Sequence, residues 1–164
     1  MNRLTDFPLI VLSILGFAMP IRHAQAQTLS CAVDDGQCLQ DAMNVACSPR
    51  DSSLDACLTW LRRLEEDSAA GNPEWRLTAA SGYFRAARLA RAEEDADRFR
   101  ERSGAILREV LSRWQDGYYA NQAYVGLANL SSSADEEISL LYHALHADPD
   151  NQNTMLILAS HLEQ

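Results

Sequence analysis

The chain has 164 residues, 47% of them hydrophobic and 23% charged, with 14 basic residues against 23 acidic ones and a formal charge of −9. That length supports one domain with a real core. The acidic balance disfavours nucleic acid and membrane surfaces as partners, because binding to phosphate backbones and anionic lipid heads depends on clustered cations.

The first element in chain order is a targeting segment. Arg3 gives a positive start, residues 9–19 form an uncharged, mostly apolar run of 11, and Ala24-Gln25-Ala26 is a small-x-small cleavage pattern. The run is short for a membrane span, which needs roughly 20 residues. We expect a cleaved signal peptide at residues 1–26 with the cut after Ala26, and hence a periplasmic or secreted protein. Cys31 lies well beyond the apolar run, and Thr28-Leu29-Ser30 before it is a poor lipidation box.

A cysteine-containing helical segment follows at residues 27–72, holding all four cysteines, Cys31, Cys38, Cys47 and Cys57. An even number clustered behind an export signal points to disulfides in an oxidising compartment. Zinc is disfavoured because no close Cys pair or nearby His gives the usual ligand spacing. A nucleophilic thiolate needs a base or a helix N-terminus, and the histidines of the exported chain, His143, His146 and His161, are far along the sequence. Residues 37–46 and 53–70 read as two helices around Ser48-Pro49-Arg50-Asp51, with a Ser or Asp cap before the second. Local bridges, Cys31 with Cys38 and Cys47 with Cys57, compete with a cross-helix bridge from Cys38 to Cys57. Sequence alone does not choose between them, and we lean to the local pair.

The helical body occupies residues 73–164. Asn72-Pro73-Glu74 is a helix-start signal: Asn caps, Pro is tolerated in the first turn, and Glu complements the positive end of the helix dipole. The helix is expected over residues 74–92, with Trp75, Ala79, Gly82, Tyr83, Ala86, Leu89 and Ala90 forming one packed stripe at three- and four-residue steps. A mixed charge run from Arg85 to Arg102 reads as a solvated face with local ion pairs. The next helix, residues 95–113, presents Phe99, Ile106, Leu107, Val110, Leu111 and Trp114 as apolar contacts.

Further helices are expected over residues 118–130, from a Ser133–Glu136 capping box to residue 147, and over residues 152–162. Pro149 stops the second of these. Across the last third, residues recur at a spacing of 34: Leu107 as Leu141, Val110 as Ala144, Leu111 as Leu145, Asp116 as Asp150, Tyr124 as Leu158 and Ala128 as Leu162. That period fits a helix, a turn, a second helix and a connector.

Trp114-Gln115-Asp116-Gly117-Tyr118-Tyr119-Ala120 and Asp148-Pro149-Asp150-Asn151 carry a resemblance to the tetratricopeptide repeat (TPR) family, clearest at residues 118–164. The pattern departs from the family at Gln115, where proline is usual, at Asn121, where a large aromatic is common, and at Glu137, where a small residue is expected. The resemblance implies stacked antiparallel hairpins whose first helices hold partner peptides. It carries Tyr119, Gln122, Asn129 and Asn153 over as outward, partner-binding residues.

Catalytic chemistry has little support. His143 and His146 share one helix, but the repeat register turns both outward and no third ligand accompanies them. Adjacent carboxylates such as Glu65 with Glu66, Glu93 with Glu94 and Glu136 with Glu137 point in different directions, whereas a catalytic pair needs a cleft and opposed pKa shifts. No glycine-rich phosphate loop, nucleophile elbow or zinc-helix motif appears.

These features predict an all-α protein of stacked helix hairpins, a TPR-like α-solenoid fragment with a disulfide-stapled N-terminal helical segment. The expected function is that of an exported, non-enzymatic interaction module of a bacterial envelope, with a protein or peptide partner and no cofactor. The alternative is a secreted effector or inhibitor acting through residues 27–72.

Overall fold

The computed structural model describes residues 36–48, 50, 53–67 and 72–163. The expected signal peptide at residues 1–26 and Cys31 lie outside them. Among the described residues the chain forms helices and no strand: α1 (Gly36–Ala46), α2 (Leu54–Asp67), α3 (Pro73–Leu89), α4 (Glu93–Arg113), α5 (Gly117–Ala128), α6 (Ala134–Ala147) and α7 (Gln152–Leu162).

Local chemistry sets several helix starts. The Ala56 N–H donates to Ser53 Oγ at 3.2 Å ahead of α2, and Glu74 N–H donates to Asn72 Oδ1 at 2.9 Å ahead of α3. Asn151 caps α7 in the same way, accepting from Thr154 N–H at 3.1 Å. Each such cap satisfies a backbone donor that the helix leaves without a partner. The expected Ser133–Glu136 capping box does not form, since Ser133 makes no side-chain cap bond. Ser131 takes its place: its hydroxyl reaches Glu136 Oε2 at 2.8 Å and accepts Ser133 N–H at 3.1 Å. The carboxylate is drawn into the turn and away from the N-cap.

The helices pack as antiparallel hairpins, α1 with α2, α3 with α4 and α5 with α6, and α7 follows against α6. Because α3 also lies against both α1 and α5, the first helices of the hairpins stand side by side. The result is a repeat-like α-solenoid arrangement.

One core runs through most of the stack. Leu39, Met43 and Cys47 recur at four-residue steps on α1 and its C-terminus, and join Trp60, Leu61 and Leu64 of α2, Trp75, Ala79 and Ala86 of α3, Ile106, Leu107 and Val110 of α4, and Ala123 of α5. The described part of the cysteine segment therefore shares its core with the helices that follow. A second, smaller cluster joins Ala128, Leu141 and Leu158 across α5, α6 and α7.

Two glycines explain close backbone geometry. A Cβ on Gly82 would stand 2.5 Å from Leu61 Cδ2, so the Leu61 side chain packs directly onto the α3 backbone at a position without a side chain of its own. Gly117, with φ of 77°, turns the chain into α5 in the left-handed region.

Cys47 and Cys57 are bridged across a sequence separation of 10 residues, tying the end of α1 to the first turn of α2. This is the local pairing and excludes a Cys38–Cys57 bridge. Cys38 is itself disulfide-bonded. Closing a loop of that length stabilises the fold by roughly 3 kcal/mol, chiefly by restricting the unfolded chain.

Candidate interaction groove

The side-by-side first helices leave a groove between them. Its volume is about 340 Å³, and it is lined by Gln37 and Gln40 of α1, Glu74, Leu77, Thr78 and Ser81 of α3, Leu107 of α4, and Tyr118 and Gln122 of α5. The spacing explains the lining. Glu74, Leu77, Thr78 and Ser81 recur at three- and four-residue steps, as do Gln37 with Gln40 and Tyr118 with Gln122, so each helix presents one stripe. Leu77 and Leu107 are its apolar members, and the rest offers amides, hydroxyls and one carboxylate.

Aromatic residues build the end of the groove nearest the start of α5. Tyr118 and Tyr119 meet edge to face with ring centroids 5.5 Å apart, and Trp114 meets Tyr119 at 6.3 Å. Burial first, then the nearby Glu74 carboxylate, push both tyrosine hydroxyls above their ordinary range.

The four residues carried over as partner-binding are placed differently from one another. Gln122 lines the groove, and its Nε2 donates to Asn121 Oδ1 at 3.2 Å. Tyr119 is half-buried and packs against the main core beside Trp114, behind the exposed Tyr118. Asn129 is the exposed C-cap of α5, and Asn153 is exposed in the first turn of α7; neither belongs to the groove lining. The residues missed from the sequence are Tyr118, Glu74, Ser81 and the two glutamines of α1. The periodicity held the signal for α3, since the groove stripe lies beside the core stripe of Trp75, Ala79 and Gly82.

A second cleft, about 240 Å³, opens between α2, α3 and α4. Ion pairs span it. Arg102 donates to Glu65 Oε1 at 2.6 Å and 3.2 Å, Tyr83 donates to Glu65 Oε2 at 3.0 Å, and Arg76 pairs with Glu109. Burial and the bond to Glu65 push the Tyr83 hydroxyl above its ordinary range. Elsewhere in the charge run, Arg98 pairs with Asp95 and Arg100 with Asp97, each on its own helix face.

His143 and His146 are exposed on α6, and the His143 ring stacks on Tyr124 with centroids 5.4 Å apart. Among the described residues no group of three or more His, Cys, Asp or Glu side chains is arranged to hold a metal ion, and no helix is long and apolar enough to cross a membrane. No protein-family model, curated protein or solved structure matches this chain.

Proposed function

We propose that this chain is an exported, non-enzymatic interaction module of the bacterial envelope that holds a partner polypeptide along its first helices, in the manner of tetratricopeptide repeats. The observation that carries the reading is the groove across α1, α3 and α5, with its mixture of amides, hydroxyls and an exposed tyrosine. Such groups suit a peptide, whose backbone needs donors and acceptors and whose side chains need shallow apolar contact. The 34-residue period supports the family reading, since it equates α4 with α6 and α5 with α7: Leu107 and Leu141 are both buried, as are Val110 and Ala144. The shared core of α1 to α5 favours one body acting as a unit over activity confined to residues 27–72.

Blocking the groove tests this. Ser81 is exposed on the groove wall, so Ser81→Trp fills the space at little cost to the core. A partner captured from the envelope fraction by the unaltered chain should be lost with Ser81→Trp and kept with Asn153→Ala. Undiminished capture by the Trp variant would remove the groove from consideration.

A further inference from the structure

The charges around the groove are distributed unevenly. Glu74 is the sole formally charged side chain in the lining, and Asp41, one turn along α1 from Gln37, accepts from Gln37 Nε2 at 3.0 Å and adds a second negative charge beside it. Two arginines of the flanking helices α3 and α4 are engaged in the other cleft. Arg76, two residues beyond Glu74, pairs with Glu109 in the other cleft, and Arg102 pairs with Glu65 there. An anionic occupant would therefore meet a carboxylate in the groove with no arginine in the lining to neutralise it, inside a chain whose formal charge is already −9.

Size narrows the occupant further. About 340 Å³ is at the low end for a ligand pocket, room for one long side chain and its adjoining backbone. Glu74 has capacity for such a guest, because it lines the groove and a carboxylate offers about four lone-pair sites to donors. The exposed Tyr118 ring beside it offers a face for a cation or for an aliphatic stem. The exposed Ser81 hydroxyl, together with the amide oxygens of Gln40 and Gln122, whose Nε2 atoms donate to Asn44 and Asn121, is placed to bond the backbone on either side.

Resting on the reading of the groove as a peptide site, we propose that it takes an extended segment of a partner protein through one Lys or Arg side chain that seats beside Glu74, between Tyr118 and the glutamines. The flanking residues of that segment are small or polar. Recognition is by charge and hydrogen bonding more than by apolar burial, so affinity falls as salt rises.

A phage-displayed library of random linear peptides, selected on the full exported chain, tests the inference. The expected result is enrichment of sequences with one Lys or Arg among small or polar neighbours. A synthetic peptide of the enriched sequence should then bind Glu74→Gln about tenfold or more weakly, as expected for losing a charge-assisted hydrogen bond. Ser81→Arg, which places a cation in the groove from an exposed position, should abolish binding while circular dichroism shows the helices intact. Enriched peptides that are acidic or wholly apolar but still blocked by Ser81→Trp would overturn the charge assignment and leave the peptide groove standing. Enriched peptides indifferent to Glu74→Gln and Ser81→Arg would also overturn it. No enrichment of any peptide would count against the groove reading itself.

Discussion

Asn121 is fully buried at a position where the repeat pattern commonly has a large aromatic, and its hydrogen bonds supply the reason. Its Nδ2 donates to Ala144 O at 2.9 Å, and the Thr154 hydroxyl lies 3.1 Å from Nδ2 and 3.2 Å from Oδ1. One amide thus joins α5, α6 and α7. Another off-pattern residue, Glu137, lies with its Oε1 3.0 Å from Nε2 of His161 on α7, so these two of the three departures from the pattern contact the same terminal helix. Asn121→Ala removes one bond each from the buried Thr154 hydroxyl and the Ala144 carbonyl, which keep Asn151 and the Asp148 N–H as their other partners, and is expected to cost about 1–3 kcal/mol in urea unfolding. A double-mutant cycle with Thr154→Val should show coupling of about 0.5–3 kcal/mol, and strict additivity would mean that the pair does not act together.

Gly82 makes the opposite kind of prediction, since nothing polar is involved. Gly82→Ala gains up to about 1 kcal/mol of helix propensity but drives a methyl into Leu61, an overpacking cost of about 1–3 kcal/mol. Net destabilisation is expected, and recovery by the companion change Leu61→Val would identify the clash as its cause.

At the scale of elements, the Cys47–Cys57 bridge fixes α1 to α2, and α1 carries Gln37 and Gln40 into the groove. The double substitution Cys47→Ala, Cys57→Ala should lower the unfolding free energy by roughly 3 kcal/mol. A larger loss of peptide affinity than of stability would show that the bridge positions α1 for binding. Loss of neither would make the staple dispensable.

Helix existence was largely legible from periodicity and caps. The last helix, expected over residues 152–162, forms as α7 (Gln152–Leu162) because Asn151 caps one end. Periodicity locates a boundary less well than it locates a helix. The stripe that runs on to Ala90 places the end of α3 at about residue 92, yet the helix stops at Leu89, where the backbone at Ala90 is extended. The groove was legible only in part. Gln122 was picked out by register, but the choice of Tyr119 over Tyr118 turned on a one-residue difference that periodicity does not decide. Packing decides it: Tyr119 turns to Trp114 and the core, which leaves Tyr118 to the groove.

The molecule as a whole carries arginine and no lysine. Arginine stays charged through pH 12, so tyrosine dominates the chemistry between about pH 9 and 12. Burial first, helped by Glu65 or Glu74, raises the folded-state values of Tyr83, Tyr118 and Tyr119. As pH rises past about 10, tyrosines of the unfolded chain lose protons before those of the folded chain. The unfolded state then binds fewer protons, so the unfolding free energy falls with pH. Stability should be flat on this account below about pH 9 and decline through the raised folded-state values. Tyr83→Phe should make that decline shallower.

The central claim for the whole molecule is that its first helices grip another polypeptide. It is tested most directly by a photo-crosslinking amino acid placed at Ser81 in the groove and, separately, at the exposed Ser112 of α4, in cells that produce the full chain. A discrete crosslinked polypeptide from Ser81 alone, lost when Glu74→Gln is added, is the predicted result. Crosslinks from Ser112 with none from Ser81 would contradict it.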